Sequence, residues 1–188
     1  MRIIGGKFKG KKLLEPNDKE TRPLKDLAKE SIFNIINHSN KFSIDIKKAY
    51  VLDLFSGVGS FGIECLSQGA SHVTFIEKYK EVLPILKKNL NNLKSETNYE
   101  IIESDILNRF KFQSLKLRYD IVFLDPPYKE KALESILNSI ITNKILKESD
   151  IIIIHRHRNE SDILPKDFEI IEEKNYGISK IIFLDYLN

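Results

Sequence analysis

The tetrapeptide Asp125-Pro126-Pro127-Tyr128 follows a run of apolar residues, and its groups could hold a planar substrate. Two consecutive prolines cannot donate backbone hydrogen bonds, so the predicted strand must end here. Asp125 is therefore expected at the carboxyl edge of a sheet, where ligands bind in open α/β folds. The Asp125 carboxylate and the Pro126 carbonyl can accept hydrogen bonds from an exocyclic amino group, and Tyr128 offers a ring for stacking. We predict Asp125, Pro126 and Tyr128 as the catalytic residues.

A glycine-rich loop lies earlier in the chain, between a predicted strand and a predicted helix. It contains Gly57, Gly59 and Gly62 in the spacing G-x-G-x-x-G. Such a loop lets the backbone approach a nucleotide-like ligand at the amino end of a helix. Glu77 ends the next predicted strand, where a carboxylate can accept hydrogen bonds from the hydroxyls of a ribose. A dinucleotide or another nucleoside ligand fits these features.

Two further acids favour a ligand without phosphates. Asp53 lies just before the glycines, where a carboxylate would repel a pyrophosphate but would attract an ammonium group. Asp105, with Ile106 beside it, follows the third predicted strand and could accept from an adenine amino group. S-adenosylmethionine has an amino-acid head, a ribose and an adenine. We therefore predict S-adenosylmethionine as the cofactor, bound by Asp53, Gly57, Gly59, Glu77, Asp105 and Ile106.

Strand and helix patterns alternate along most of the chain, which predicts a mostly parallel α/β sheet. Apolar runs predict strands at 49–55, 72–77, 99–104, 119–125 and 150–155, and two final strands around Gly177. Helical spacing predicts helices at 23–38, 59–69, 80–93 and 130–146. We expect one domain over 1–188, with a basic arm and leading helix at 1–40. A seven-stranded Rossmann-like core, with an antiparallel carboxyl-terminal strand, is expected over 49–188.

The positive charge is concentrated at the amino terminus. The net charge is +3, whereas the first twelve residues carry +5 and contain no acid. Glycines and apolar residues among the lysines favour a short hairpin or ordered arm. A basic arm on a near-neutral body predicts a polyanionic partner, and we predict RNA contacts. The residues concerned are Arg2, Lys7, Lys9, Lys11 and Lys12.

Other features of the sequence exclude several kinds of binding site and several classes of protein. The single cysteine, Cys65, excludes an internal disulfide and a cysteine-based zinc site. The apolar runs are too short to span a bilayer and the amino terminus lacks a secretory signal, so a cytoplasmic protein is predicted. His155 and His157 lack a third ligand, and we predict no metal. With Arg156 and Arg158 they are expected to form a basic surface after the fifth strand.

These motifs together resemble the S-adenosylmethionine-dependent amino-group methyltransferases with a seven-stranded Rossmann-like fold. Almost end to end, the chain resembles one family, the RsmD-type small-subunit ribosomal RNA guanine-N2 methyltransferases. The matching stretches are "RIIGGKFKGKKL", "LDLFSGVGSFGIECLSQGA", "DIVFLDPPY", Tyr176-Gly177 and a helix containing Thr21, Arg22, Pro23, Asp26, Glu30, Phe33 and Asn34. The resemblance implies methylation of a guanine N2 in 16S ribosomal RNA, within the small subunit. We expect the protein to be a monomer.

The resemblance also adds Arg22 to the predicted RNA contacts. The chain departs from the family pattern at Leu27 and Lys29, where the helix usually carries arginines. An arginine fork binds phosphate with two hydrogen bonds, so this departure predicts weaker phosphate binding by the helix.

Three alternatives remain open from the sequence. The same chemistry could act on DNA adenine or on a protein glutamine, although 188 residues leave little room for an added recognition domain. A non-catalytic RNA-binding module could keep a vestigial nucleoside site. A dinucleotide-dependent oxidoreductase would also use the glycine loop, and stabilisation by NAD rather than S-adenosylhomocysteine would identify it.

Overall fold

The computed structural model describes residues 1–16, 24, 26–41, 43–94, 97–127 and 132–187, and the backbone alone at 148 and 149. Four α-helices lie in these ranges: α1 Asp26–His38, α2 Ser60–Ser67, α3 Leu83–Asn91 and α4 Leu133–Thr142. Seven strands lie there as well: β1 Tyr50–Leu54, β2 His72–Glu77, β3 Tyr99–Glu103, β4 Tyr119–Leu124, β5 Leu146–His157, β6 Phe168–Tyr176 and β7 Ser179–Tyr186.

The strands form one sheet in the order β3-β2-β1-β4-β5-β7-β6. β3, β2, β1, β4 and β5 are parallel, whereas β7 is antiparallel to both of its neighbours, β5 and β6. The predicted fold class, a mostly parallel sheet with an antiparallel carboxyl-terminal strand, is confirmed. The strand order reverses between β1 and β4, and ligands bind at the carboxyl edge of such a switch point.

The central strands are apolar because both faces of the sheet are covered. Ile151 and Ile153 of β5 pack into the core on one face, with Phe61 of α2. Ile152 and Ile154 pack into the core on the other face, with Leu137 of α4. A strand buried on both faces reads as a continuous apolar run rather than an alternating one.

Three aromatic rings connect the leading helix to the sheet beside the predicted catalytic residues. Phe33 of α1 stacks on Phe61 of α2 at a centroid distance of 5.4 Å, and Phe61 stacks on Phe123 of β4 at 4.1 Å. Offset aromatic stacking adds about 0.5–1.5 kcal/mol to the burial of each pair. Phe123 lies two residues before Asp125, so the stacked rings connect α1, through α2, to the strand that precedes the D-P-P segment.

The predicted hairpin at the amino terminus is confirmed. Arg2 and Lys12 form an antiparallel bridge outside the main sheet, and a 3₁₀ turn at Gly6–Phe8 lies between them. Ile3 and Phe8 are buried, so the arm packs its apolar side chains onto the body of the protein. The arm is therefore an ordered element of the fold.

The expected basic surface at 155–158 is wrong for its first two members. β5 extends to His157, well past the isoleucine run, and His155 and Arg156 are only 3% and 1% exposed. The antiparallel strand β7 pairs with this extension and encloses both side chains. Arg158, after the strand, is exposed.

Other differences concern the ends of elements. α3 begins at Leu83 rather than residue 80, with Pro84 in its first turn, where a missing N–H has no helical partner to lose. α4 ends at Thr142, because β5 already begins at Leu146. Among the described residues, no helix is both long enough and apolar enough to cross a membrane.

Candidate active site

Four acidic side chains follow neighbouring strands to the same edge of the sheet. Asp53 is the penultimate residue of β1, Glu77 ends β2, Asp105 follows β3, and Asp125 follows β4. The parallel pairing sets them side by side, and the Asp125 N–H donates to the Leu54 carbonyl at 3.3 Å. The structure thus brings the predicted cofactor acids and the predicted catalytic acid to one edge.

The glycine loop after β1 has a backbone that requires glycine. Gly57 and Gly59 have φ values of +55° and +83°, in the left-handed region. A Cβ at Gly59 would lie 2.5 Å from Leu86, and one at Gly62 would lie 2.3 Å from Phe75. At Gly57, by contrast, no atom of the described residues lies within 4 Å of the Cβ position. The backbone at Gly57 is therefore open to a ligand.

Glu77 is held rigidly across from that loop. Its Oε2 accepts from the Gly57 N–H at 2.7 Å, and its Oε1 accepts from the Lys78 and Tyr79 N–H groups, both at 2.8 Å. A carboxylate offers about four lone-pair sites and three are engaged here, so capacity for about one further hydrogen bond, from a hydroxyl, remains. The position of Glu77 fits its predicted role as a ribose ligand.

Asp53 is buried, and no cation of the described residues pairs with it. Its Oδ2 accepts from the Gly62 N–H at 3.0 Å, whereas its buried Oδ1 has no hydrogen-bond partner among the described residues. Burial raises the pKa of Asp53 well above the usual range, the Gly62 hydrogen bond opposes this, and nearby Asp125 and Glu77 raise it further. A buried acid with an unused oxygen fits a cationic ligand such as the ammonium group of S-adenosylmethionine.

Asp105 has a structural role in addition to the predicted one. Its Oδ1 caps the following turn by accepting from the Leu107 N–H at 3.0 Å. Its Oδ2 accepts from Asn108 at 3.0 Å and from Lys78 at 3.3 Å, and the Asn108 hydrogen bond is the main cause of a lowered pKa. Ile106 beside it is a buried apolar residue. Adenine binding by Asp105 and Ile106 stays a prediction.

Asp125 is bound by a histidine that sequence reasoning did not connect with it. Nδ1 of His155 lies 2.8 Å from Asp125 Oδ1, and Arg156 donates to the Pro127 carbonyl at 3.2 Å. The pairing of Leu124 with Ile154 explains this contact, because it sets the next residues of β4 and β5 side by side. Only the adjacency of these two strands could have revealed it. Tyr128, the third predicted catalytic residue, lies outside the described residues.

The residues predicted to bind RNA lie on the surface of the arm. Arg2, Lys7, Lys9, Lys11 and Lys12 are all exposed. Two of these cations also pack near an arm ring, since Lys7 and Lys11 lie 5.2 and 4.7 Å from the centroid of Phe8. Arg22, with Thr21 and Pro23 of the same motif, lies outside the described residues.

The two departures in the leading helix have different environments. Lys29 is fully buried and pairs with Glu64 of α2 at 3.4 Å, so its side chain cannot reach an RNA phosphate in this structure. Leu27 is 65% exposed. The presence of lysine instead of arginine at position 29 therefore affects the packing of α1 on α2 rather than the binding of phosphate.

Polar side chains of α2 hold the arm against the body of the protein, and sequence reasoning missed them. Glu64 accepts from the N–H groups of Ile4 and Gly5 at 2.8 and 2.7 Å. Ser67 accepts from the Phe8 N–H at 3.0 Å and donates to the Gly5 carbonyl at 2.6 Å. The approach is so close that a Cβ at Gly6 would lie 1.8 Å from the Ser67 carbonyl oxygen. The double glycine of the arm is thus explained by docking.

Asn89 of α3 joins the arm to the glycine loop. Its Oδ1 accepts from the Leu14 N–H at 2.8 Å, and its Nδ2 donates to the Leu14 and Val58 carbonyls, both at 3.1 Å. Asn89 is 1% exposed. One buried amide therefore fixes the end of the arm and the loop of the predicted cofactor site together.

Comparisons with known proteins show the family to which this chain belongs. A family model described as "Conserved hypothetical protein 95" matches residues 1–185. Ribosomal RNA small subunit methyltransferase D of Haemophilus influenzae is 35% identical over 179 residues, covering 95% of this chain and 90% of that protein. The protein of the same name from Escherichia coli K12 is 33% identical over 179 residues, covering 94% and 85%.

A solved structure extends the comparison to the fold. The Escherichia coli protein yhhF superposes with a TM-score of 0.81 at 30% identity, covering 99% of this chain and 97% of that chain. The alignment thus includes the arm, the leading helix and the whole sheet. This chain belongs to the Conserved hypothetical protein 95 family, the family of ribosomal RNA small subunit methyltransferase D.

Proposed function

We propose that this protein transfers a methyl group from S-adenosylmethionine to the exocyclic N2 amino group of a guanine in 16S ribosomal RNA. The observation that carries the proposal is the position of Asp125. Its carboxylate follows β4, next to β1, whose end carries the unpaired Asp53 and the open glycine loop. The names of the relatives support ribosomal RNA of the small subunit as the substrate.

The acceptors at the D-P-P segment suit an amino group that is a poor nucleophile. The lone pair of an exocyclic amino nitrogen is delocalised into the base, and hydrogen bonds to two acceptors favour a pyramidal nitrogen with its lone pair directed outward. Asp125 and the Pro126 carbonyl are these acceptors. As the nitrogen–carbon bond forms, the sulfur–carbon bond would break and leave a neutral thioether in place of the sulfonium. The nitrogen would then release one proton to water. Alignment of the two reactants supplies most of the acceleration.

The cofactor would lie along the carboxyl edge of β1, β2 and β3. Asp53 would pair with the ammonium group, Glu77 with the ribose hydroxyls, and Asp105 with the adenine amino group, with Ile106 against the ring. Gly57 and Gly59 would let the backbone approach the ligand. The uncompensated burial of Asp53 supports a cationic ligand over the pyrophosphate of a dinucleotide.

The basic arm would hold the RNA around the target base. A guanine stacked within a duplex cannot reach the edge of the sheet, so the target must be single-stranded or flipped out. The exposed lysines of the arm suit contacts with flanking phosphates, which position the RNA without reading its sequence. The substrate would then be selected by its shape, as in an assembled small subunit, and such a substrate would place the enzyme in the cytoplasm.

Product identification tests the proposal. Purified protein, incubated with methyl-labelled S-adenosylmethionine, is offered small ribosomal subunits, naked 16S ribosomal RNA or DNA in parallel, and labelled nucleosides are identified by mass. N2-methylguanosine from the RNA is expected. N6-methyladenine in DNA, or label in ribosomal protein, would retain the chemistry and reject the substrate.

Salt dependence tests the role of the arm. The double variant Lys9→Ala with Lys12→Ala should weaken RNA binding, and each lost phosphate contact should reduce the slope of log affinity against log salt by about 0.7–0.9. Lys166→Ala is the matched control, because Lys166 is an exposed lysine just before β6, the strand at one end of the sheet order. A double variant with the wild-type slope would exclude phosphate binding by these two lysines.

A further inference from the structure

The extension of β5 beyond its isoleucine run buries two basic side chains beside the D-P-P segment. His155 and Arg156 are 3% and 1% exposed. Burying such groups is unfavourable unless hydrogen bonds satisfy them. The hydrogen-bond partners of the two residues therefore indicate why they are buried here. Both residues form hydrogen bonds with the segment that follows β4.

His155 connects three adjacent strands through its two ring nitrogens. Nδ1 lies 2.8 Å from Asp125 Oδ1 at the end of β4, and Nε2 lies 3.0 Å from the Ser179 hydroxyl at the start of β7. A ring fixed at both nitrogens cannot rotate without breaking a hydrogen bond. Ser179 is itself 4% exposed, so the histidine is fixed from a buried site.

Arg156 fixes the same segment two residues further on. Its Nε and Nη2 donate to Asp162 at 2.9 and 2.7 Å, the two-bonded geometry of a strong arginine–carboxylate pair. Its Nη1 donates to the Pro127 carbonyl at 3.2 Å. The carbonyl after the second proline is therefore bound from a buried, oriented guanidinium.

These contacts leave a defined set of acceptors for a substrate. Asp125 Oδ1 and the Pro127 carbonyl are engaged by β5. Among the described residues, no hydrogen bond reaches Asp125 Oδ2 or the Pro126 carbonyl. The acceptors that remain are the two that the proposed reaction assigns to the amino group.

We propose that His155 is a positioning residue for methyl transfer, which orients the Asp125 carboxylate so that Oδ2 is presented to the target amino group. This inference rests on the proposed function. Without the bond to His155, the carboxylate could rotate about its own bond to Cβ, and misalignment of a reacting group slows a reaction that depends on positioning. Arg156 and Asp162 support the same geometry by fixing the backbone after Pro126.

The ionisation of the pair agrees with this geometry. Burial alone would lower the pKa of His155, but the charge of Asp125 and the hydrogen bond to it raise the pKa above its usual value. An Nδ1–H that donates to Asp125 Oδ1 is thus favoured.

Two substitutions of similar size separate positioning from packing. In His155→Asn the amide nitrogen can replace Nδ1 and keep the bond to Asp125, whereas in His155→Gln the longer amide reaches the place of Nε2, near Ser179. We expect His155→Gln to lower kcat about tenfold or more, and His155→Asn to lower it about threefold or less. KM for S-adenosylmethionine should be unchanged in both variants. His157→Asn, two residues along the strand and half-buried, is the control and should keep the wild-type kcat.

The outcomes distinguish this inference from the proposed function. Equal kcat values in folded Asn and Gln variants would overturn the positioning role, as would a wild-type kcat in His155→Gln. If Asp125→Ala also methylates RNA normally, the proposed function is wrong in its catalytic residue. If Asp125→Ala is inactive while His155→Gln is normal, only the inference about His155 is wrong.

A smaller substitution tests the same proposal if the buried amide of His155→Asn or His155→Gln prevents folding. Ser179→Ala removes only the hydroxyl that holds Nε2, and it should lower kcat about threefold with an unchanged KM for the cofactor. An unchanged kcat in a folded Ser179→Ala variant would contradict the proposal.

Discussion

Lys29 and Glu64 form an ion pair in which both side chains are completely buried, with Nζ 3.4 Å from Oε2. Burial lowers the pKa of Lys29, although the charge of Glu64 opposes that shift. Lys29 also donates to the Arg2 carbonyl at 2.6 Å, while Glu64 accepts from the N–H groups of Ile4 and Gly5. One pair thus joins α1, α2 and the basic arm at a single point.

Removing one partner of this pair should be costly. Lys29→Met leaves the Glu64 charge buried without its cation, and the free energy of unfolding should fall by about 3–5 kcal/mol. Adding Glu64→Gln removes the unpaired charge and should recover part of the loss. Urea denaturation of both variants measures this.

An exposed pair provides the control. Lys48 and Asp45 lie 3.9 Å apart with side chains 87% and 55% exposed, so Lys48→Met should change stability by about 0.5 kcal/mol or less. If the substitutions at Lys29 and Lys48 change the free energy of unfolding equally, burial does not make the Lys29–Glu64 pair more important for stability than an exposed pair.

Two glycines of the arm provide a test of docking. Gly6 and Gly10 both have positive φ values, +71° and +87°, but a Cβ would clash with the Ser67 carbonyl only at Gly6. Gly10→Ala should cost about 1 kcal/mol of strain, whereas Gly6→Ala should also displace the arm from α2. Denaturation, with RNA and S-adenosylhomocysteine binding alongside, compares the two. Weaker RNA binding with retained cofactor binding is expected for Gly6→Ala, and identical behaviour of both variants would exclude the docking argument.

The buried carboxyl of Asp53 predicts that cofactor binding depends on pH. Its raised pKa means that the neutral form persists to higher pH than for an ordinary aspartate, and only the charged form pairs with an ammonium group. Affinity for S-adenosylmethionine should therefore increase as the pH rises through this pKa.

The isosteric variant isolates that effect. Asp53→Asn should bind the cofactor about ten- to a hundredfold more weakly at high pH, which corresponds to about 1.4–2.7 kcal/mol. The difference between wild type and variant should shrink at low pH, and ionisation of the cofactor itself cancels in this comparison. Calorimetric titration at several pH values measures it, and a difference that is constant with pH would count against the ammonium pairing.

Asp150 of β5 lies next to Ile151, which pairs with Ile121 near the start of β4, away from the acidic carboxyl edge. Its ionisation should make the stability of the protein fall as the pH rises. Burial, followed by the charges of Asp185 and Asp120, raises its pKa from 3.8 to about 7. Between these values the unfolded chain loses the proton and the folded protein keeps it, so unfolding becomes easier by about 1.4 kcal/mol per pH unit. Above pH 7 the loss is complete.

Removing this acid should stabilise the protein. At pH 8, Asp150→Asn should raise the free energy of unfolding by about 2–4 kcal/mol, and the gain should vanish near pH 4. Asp167→Asn, an exposed acid before β6, should change stability little at either pH. Urea denaturation at the two pH values gives both differences, and a gain at pH 4 equal to that at pH 8 would contradict the assignment to Asp150.

The parallel sheet and its acidic edge could be predicted because their signals are local. Each central strand is a short apolar run, and Asp53, Glu77 and Asp125 each lie at or next to the end of such a run. Gly57 and Gly59 indicated a tight turn, which their φ values confirm. Such features depend only on neighbouring residues in the chain.

The missed features depend on contacts between distant residues. Glu64 and Ser67 look like solvent-facing positions of a short helix, but they bind an arm that lies about 60 residues earlier. His155 and Arg156 look like a charged strand end, and only the addition of β7 beside β5 encloses them. Strand adjacency of this kind is set by the whole fold rather than by local sequence.

The rate of methyl transfer by Asp125→Asn, in a single turnover at saturating S-adenosylmethionine, tests whether the Asp125 carboxylate is the acceptor for the target amino group. The variant keeps the shape of the side chain but replaces one acceptor oxygen with a donor nitrogen. We predict that formation of N2-methylguanosine in the small subunit slows about a hundredfold or more, while the dissociation constant of the cofactor stays within about threefold. A variant that methylates its guanine at the wild-type rate would show that the Asp125 carboxylate is not the acceptor on which the reaction depends.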